Sequence, residues 1–261
     1  MISCITITQA GRERLVADAI ADFAQQTWVD RELLIVHDGD AALHERLGAL
    51  VAGTSINYER CAPIRVHREP TGQSLGALRN VATAHAFGDW ICQWDDDDRY
   101  HPMRLQLQWQ AAADEQAECC FLVDQLHWFC DDGRLYWDDW HGEPYPINFV
   151  QGTLLCKRSR MPRYPELRRG EDTGATWALL RASYEAPFAV ARLRGAGWCY
   201  LYRYHGANAW EAEHHAAIAA AKHLSPAQLV GRQAALKKAL SEYRPALPPL
   251  VMPVGAERWQ F

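Results

Sequence analysis

The chain lacks a long apolar run. Nothing in its 261 residues approaches the roughly 18 consecutive apolar residues of a membrane-spanning helix. No basic segment followed by an apolar core stands at the N-terminus, so no secretory signal is expected. CxxC pairs are missing as well. The eight cysteines are scattered, several inside strand-like runs, which fits reduced thiols in a cytoplasmic protein better than a disulfide framework. There is no N-x-S/T sequon and no internal repeat. Basic charge is not in excess: 27 Lys and Arg stand against 32 Asp and Glu, a net charge of -5. That argues against nucleic acid as a partner, which favours a basic face.

What is present has ordinary globular proportions, 49% apolar and 23% charged. The length suits one large α/β domain or a domain with a small appendage. Residues 2–8, rich in β-branched side chains, read as a buried strand. Residues 12–26 carry Leu15, Val16, Ala19, Ile20 and Phe23 on one helical face. A second strand at 32–36 ends in the turn residues His37-Asp38-Gly39-Asp40. A helix over 41–51 and a short strand over 56–60 follow. This β-α-β-α-β alternation predicts a mostly parallel sheet with helices on both faces. Ligands in such sheets bind outside the carboxyl ends of the strands. A helix over 73–87, closed by Gly88 as C-cap, leads to a strand at 89–94. Pro102 then opens a helix reaching about 116, and 117–123 is another strand.

The character changes after residue 124. Two short aromatic runs flank Asp131-Asp132-Gly133, a hairpin signal. Strands are expected at 152–157 and 199–204, and helices at 171–183, 211–223 and 226–243. The Pro-rich tail 245–261 shows little periodicity and reads as a surface wrap or a partner contact. The expected division is two halves of one domain, 1–124 and 125–210, and a helical appendage with the tail at 211–261.

The densest feature is Asp95-Asp96-Asp97-Asp98, placed directly after the apolar strand. Four adjacent carboxylates repel one another, and a hard divalent cation with oxygen ligands is their natural partner. The bland alternative is a solvated acidic turn capping the next helix. Around the cluster stand Gly76-Ala77-Leu78-Arg79-Asn80, Gly88-Asp89-Trp90 and, later, Glu171-Asp172. In this order, and with the Asp-Gly turn at 38–39, the chain resembles an inverting glycosyltransferase of family 2 over roughly residues 2–210.

The resemblance implies a GT-A fold, a Rossmann-like, mostly parallel central sheet, here with C-terminal helices. It implies Mn²⁺ or Mg²⁺ as cofactor and a nucleotide sugar as donor, UDP being the commonest base. It carries metal binding to Asp97, and donor contacts to Asp95 and Asp96, with Asp96 at the motif's variable position. Asp98 would orient them. Asp38 matches a position that contacts base or ribose, although His37 and Asp40 depart from the pattern. Thr8 is the single match to the first-strand motif. Arg79 would brace a carboxylate or reach the diphosphate. Asp172 would be the base, supported by Glu171; its other reading is a helix cap. His205 is the candidate second metal ligand, and Arg203 a candidate for the diphosphate.

Trp128, Trp137 and Trp140 suit sugar faces, but core packing accounts better for two of the three. His214 and His215 read as surface residues, and Trp210 as part of a flap. Two other functions compete: a sugar-phosphate nucleotidyltransferase, for which only Gly11-Arg12-Glu13-Arg14 hints at a phosphate loop, and a non-catalytic carbohydrate-binding protein. The acceptor, whether glycan, lipid-linked or peptide, is not legible. Peripheral membrane contact through the C-terminal helices is compatible with the sequence, although their charge is mixed.

Overall fold

A computed structural model describes residues 1–54 and 63–261. The strand expected at 56–60 lies outside the described residues. The chain opens with β1 (Ile2–Thr8), α1 (Glu13–Ala24), β2 (Arg31–His37), α2 (Ala41–Ala52) and β3 (Ile64–Arg68). It continues with α3 (Leu75–His85), β4 (Trp90–Gln93), β5 (Arg99–Tyr100), α4 (Arg104–Asp114) and β6 (Cys119–Leu122). Next come β7 (Asp124–Phe129), β8 (Arg134–Asp139), β9 (Leu155–Lys157), α5 (Glu171–Glu185), β10 (Val190–Leu193) and β11 (Tyr200–Tyr204). The last elements are α6 (Ala212–Lys222), α7 (Pro226–Leu229), α8 (Gln233–Leu240), β12 (Val251–Val254) and β13 (Glu257–Gln260).

A seven-stranded sheet runs in the order β10-β6-β9-β4-β1-β2-β3, parallel except for β9. Side-chain alternation along β1 and β2 explains why both strands read as continuous apolar runs. Ile2, Cys4, Leu33 and Ile35 enter one core with Val16, Ile20 and Phe23 of α1 and Leu43 and Leu47 of α2. Ile5, Ile7, Leu34 and Val36 enter the opposite core with Leu78 and Ala82 of α3. A strand buried on both faces has no polar side to show. Each such side chain contributes roughly 1.5–3 kcal/mol on burial.

A second sheet, β13-β12-β8-β7-β11-β5, holds a separate core of Leu126, Trp128, Leu135, Trp137 and Leu201 against Leu236, Leu240, Tyr243, Met252 and Trp259. Trp128 and Trp137 are therefore packing residues, whereas Trp140 lines the cavity described below.

Three expectations need correction. Gly88 does not cap α3, which ends at His85 with an extended Ala86. Its backbone lies so close to β1 that a Cβ would stand 2.7 Å from Met1 O and Ser3 Oγ. The helix expected over 226–243 is two helices, separated by Gly231 at φ +78°. The tail is not a loose wrap: β12 and β13 form an antiparallel hairpin joined to β8. Among the described residues, no helix is long and apolar enough to cross a membrane.

Candidate active site

Parallel pairing of β1 with both β2 and β4 brings three strand ends to one edge. The acidic cluster follows β4 at that edge, where doubly wound sheets bind ligands. Its base is rigid. Trp94 is fully buried, stacks on Tyr100 at 3.8 Å, and donates from Nε1 to Ala19 O. Tyr100 in turn donates its hydroxyl to Asp95 O at 2.8 Å. Arg99 and the Tyr100 N–H both donate to the buried Asp22 of α1, which pins the segment after the cluster.

Each of the four carboxylates has its own partners. Asp95 accepts from Arg79 Nη2 at 2.8 Å and from Gln93 Nε2 at 2.9 Å. Asp96 accepts from Thr8 Oγ1 at 2.6 Å and Arg12 Nη1 at 2.8 Å. Asp97 meets the same Arg12 nitrogen at 3.1 Å and His205 Nε2 at 3.3 Å. Asp98 accepts from the Tyr200 hydroxyl at 2.5 Å and from the Arg203 N–H at 3.0 Å. Arg203 also donates to Asp97 O and to Asp18 of α1.

Crowding separates their acidities. Burial, then the charge of Asp97, pushes Asp96 up to about 7 against the pull of Arg12 and Thr8. Burial and the charges of Asp97 and Asp95 hold Asp98 well above the ordinary carboxylate range. Burial also raises Asp97, but His205, Arg12 and Arg203 outweigh it and keep Asp97 below that range. Among Asp96, Asp97 and Asp98, negative charge is therefore favoured most on Asp97, the carboxylate that faces His205 and Arg12.

Arg79, itself buried, ties the cluster to α5. Its Nε donates to Glu171 Oε1 at 2.9 Å while Nη2 holds Asp95. Its Nη1 has no hydrogen-bond partner among the described residues. Burial raises Glu171, opposed by Arg79. Gly170, at φ +77°, is the residue before α5, so Asp172 sits in the first helical turn rather than at the cap position. One Asp172 oxygen accepts from the Thr173 N–H at 2.7 Å. Asp95 to Asp98, Arg79, Glu171 and Asp172 all line one cavity of about 560 Å³, together with Trp140, Trp210, His214 and His215.

The remaining expected residues fall at different distances from this cavity. Thr8 reaches it only through Asp96. Asp38 is not among its lining residues; its carboxylate accepts from the Gly72 and Gln73 N–H groups and fixes that turn. His215 is not a surface residue: it is 3% exposed, ringed by Tyr202, Tyr204 and His127. Burial, then His127 and His214, lowers it to about 4. Arg12, noted in the sequence only within the Gly11–Arg14 hint of a phosphate loop, is instead an ion-pair partner of Asp96 and Asp97. The one signal for it is topological, since it follows β1 by four residues at the edge where β4 ends. Arg169 donates to Ala209 O and packs on Trp210, fixing the segment over the cavity mouth.

The glycosyl transferase family 2 model matches residues 3–185. The chain belongs to glycosyltransferase family 2. Solved structures of TarS from S. aureus share its GT-A fold. TarS 1–349 in complex with UDP-GlcNAc has a TM-score of 0.57 and 14% identity, covering 93% of this chain and 67% of that one. A second TarS 1–349 structure gives 0.56 and 17%, covering 77% and 60%. A further TarS structure gives 0.54 and 16%, covering 95% and 49%. The family-2 chain thus spans between about half and two thirds of these structures. A comparison with curated proteins finds no match.

Among the described residues, no group of three or more His, Cys, Asp or Glu side chains is arranged as a metal site. Asp97 and His205 pair one hard and one borderline donor and contact each other at 3.3 Å, His205 lying outside the residues that line the cavity. Two protein ligands fit an ion that takes its other ligands from a diphosphate and water, the usual arrangement for Mg²⁺ at phosphates.

Proposed function

We propose that this family-2 glycosyltransferase moves a sugar from a nucleoside-diphosphate sugar, UDP-linked, to an acceptor hydroxyl with inversion at the anomeric carbon. The observation that carries the reading is that Asp172 and the Asp95–Asp98 cluster face one cavity, held in register by Arg79 through Glu171 and Asp95. A candidate base and an acidic edge suited to a diphosphate-bound cation, lining the same cavity, match the needs of displacement at the anomeric carbon.

The acceptor hydroxyl loses its proton to the Asp172 oxygen that does not hold the Thr173 N–H. The new bond forms at the anomeric carbon as its bond to the diphosphate oxygen breaks on the opposite face. The transition state has oxocarbenium character. Arg79 Nη1 is a buried donor without a partner, suited to a diphosphate oxygen. Asp97 and His205 would hold a divalent ion, Mn²⁺ or Mg²⁺, which when bound supplies positive charge to the leaving diphosphate. The TarS complexes with UDP-GlcNAc and UDP support UDP as the first nucleotide to test.

The test is a thermal-shift panel of nucleoside diphosphates and nucleotide sugars with and without Mn²⁺. A ligand at 100 times its Kd stabilises by about 2.7 kcal/mol. UDP with metal is expected to shift the melting point, and Asp172→Asn to keep that shift while losing transfer. A fully active Asp172→Asn enzyme would refute the base. Failure of every diphosphate to stabilise the protein would refute the transferase reading.

A further inference from the structure

We propose that a groove beside the reaction cavity is a second carbohydrate subsite, which holds sugars of a glycan acceptor remote from the point of transfer. The word acceptor rests on the function proposed above; sugar binding by the groove does not. The groove, about 700 Å³, is lined among others by Tyr145, Trp177, Arg181, Tyr184, Phe188 and Arg192. It shares none of its lining residues with the reaction cavity.

Exposure is the first sign. Tyr145 is 77% exposed, Tyr184 88% and Trp177 47%, although large aromatic rings lose favourable burial when left in water. Three such rings around one concavity form a patch rather than scattered exceptions. Of the aliphatic residues there, Leu180 is 8% exposed, Val190 is half-buried and Ala189 is exposed. Aromatic and cationic side chains dominate this face, a composition that protein interfaces share, so composition alone does not choose the occupant. The groove offers flat rings, two with hydroxyl tips, and guanidinium groups. Ring faces stack on the C–H faces of sugars, and the polar groups serve their hydroxyls. No carboxylate lines the groove, so anionic sugars are admitted too.

The groove is built, not incidental. Arg192 donates to Asn148 Oδ1, Val190 O and Pro146 O, and its guanidinium lies 4.8 Å from the Tyr145 ring centre. The Tyr145 platform therefore rests on a fixed cation.

Continuity selects the occupant. Thr173, Trp177, Arg181 and Tyr184 are all exposed and fall at helical intervals of four, four and three along α5, so they form one stripe. Thr173 lines the reaction cavity, next to Asp172, and the other three line the groove. At 1.5 Å per residue the stripe spans about 16 Å. The opposite wall repeats the passage: Glu143, Ile147 and Phe149 face the reaction cavity, whereas Tyr145 and Pro146 face the groove. A chain whose end sits at Asp172 would leave along this stripe.

Calorimetry with chitotetraose, cellotetraose, maltotetraose and a hyaluronan tetrasaccharide tests the groove directly. At least one is expected to bind the full chain, and Trp177→Ala and Tyr184→Ala each to weaken it about tenfold. Both variants should bind UDP as the wild type does. The subsite is overturned if none of the four binds, or if binding survives both substitutions. It is also overturned if sedimentation shows a dimer that Trp177→Ala dissolves. UDP binding is scored separately. Tetrasaccharide binding without UDP binding keeps the subsite and removes the transferase reading, and the converse result does the opposite.

Discussion

Arg12 Nη1 lies 2.8 Å from Asp96 Oδ1, joining residues 84 positions apart. The same nitrogen reaches Asp97, so one cation from the N-terminal edge of α1 offsets two adjacent carboxylates. Their charges would otherwise be crowded in a buried site. Arg12→Ala is expected to destabilise the protein by about 1–3 kcal/mol in metal-free buffer. Mn²⁺ should then recover more stability in the variant than it adds to the wild type, because the freed carboxylates accept a cation. Melting curves with EDTA and with Mn²⁺ measure both effects. Equal metal shifts in the two proteins would show that Arg12 does not occupy the cation position.

Arg79 is expected to behave asymmetrically with its partners. It is buried, and its removal leaves Asp95 and Glu171 without their cation. Arg79→Ala should cost about 3–5 kcal/mol, the usual penalty for breaking a buried pair from one side. Glu171→Gln keeps an amide oxygen for Arg79 Nε and should cost less than about 1.5 kcal/mol. Urea unfolding of both variants at one pH compares them. A Glu171→Gln loss as large as that of Arg79→Ala would mean that the carboxylate charge, not the hydrogen bond, holds the bridge.

Gly76 explains why the motif around Arg79 begins with glycine. A Cβ at this position would stand 1.9 Å from Pro165 O and 3.2 Å from Glu171 Cβ, and the Gly76 N–H donates to Leu167 O. Backbone cannot yield as a flexible side chain can, so Gly76→Ala should force α3 away from the 165–171 segment. A loss of about 2 kcal/mol or more is expected, of the order seen for overpacking. UDP binding should weaken too, because Arg79 moves with the helix. Stability and UDP affinity of the variant, measured together, check this. An alanine variant of wild-type stability would show that the segment adapts.

Legibility in the sequence followed burial. β1, β2 and β4 are covered on both faces and carry apolar side chains into two cores, so their alternation with helices is readable despite a few buried polar residues. β5 and β10 are two and four residues long and carry arginines, below any periodic signal. The tail hairpin was hidden by a proline within β12 and by the single buried tryptophan of β13. At the site, motif order locates Asp95–Asp98, Arg79, Glu171 and Asp172, which line one cavity. Arg12 and the depth of His215 come from tertiary placement alone. α6 is alanine-rich and has no sharply apolar face, so nothing in its pattern marks His215 as the residue turned inward.

That inward histidine carries a pH dependence whose sign is fixed. His215 is 3% exposed and packed among Tyr202, Tyr204, His127 and His214. Burial, followed by the two neighbouring histidines, lowers it from 6.5 to about 4. Between these values the unfolded chain binds a proton that the folded chain refuses, so stability rises with pH. The contribution is fully present above about 6.5 and is lost as pH falls toward 4. A shift of this size corresponds to on the order of 2–3 kcal/mol. His215→Phe keeps a ring against the tyrosines and removes the titration. The variant should gain on the wild type steadily as urea unfolding is repeated from pH 7 down to pH 4.5, with little difference in slope above pH 7. A stability difference that stays constant over this range would assign the acid sensitivity to another group.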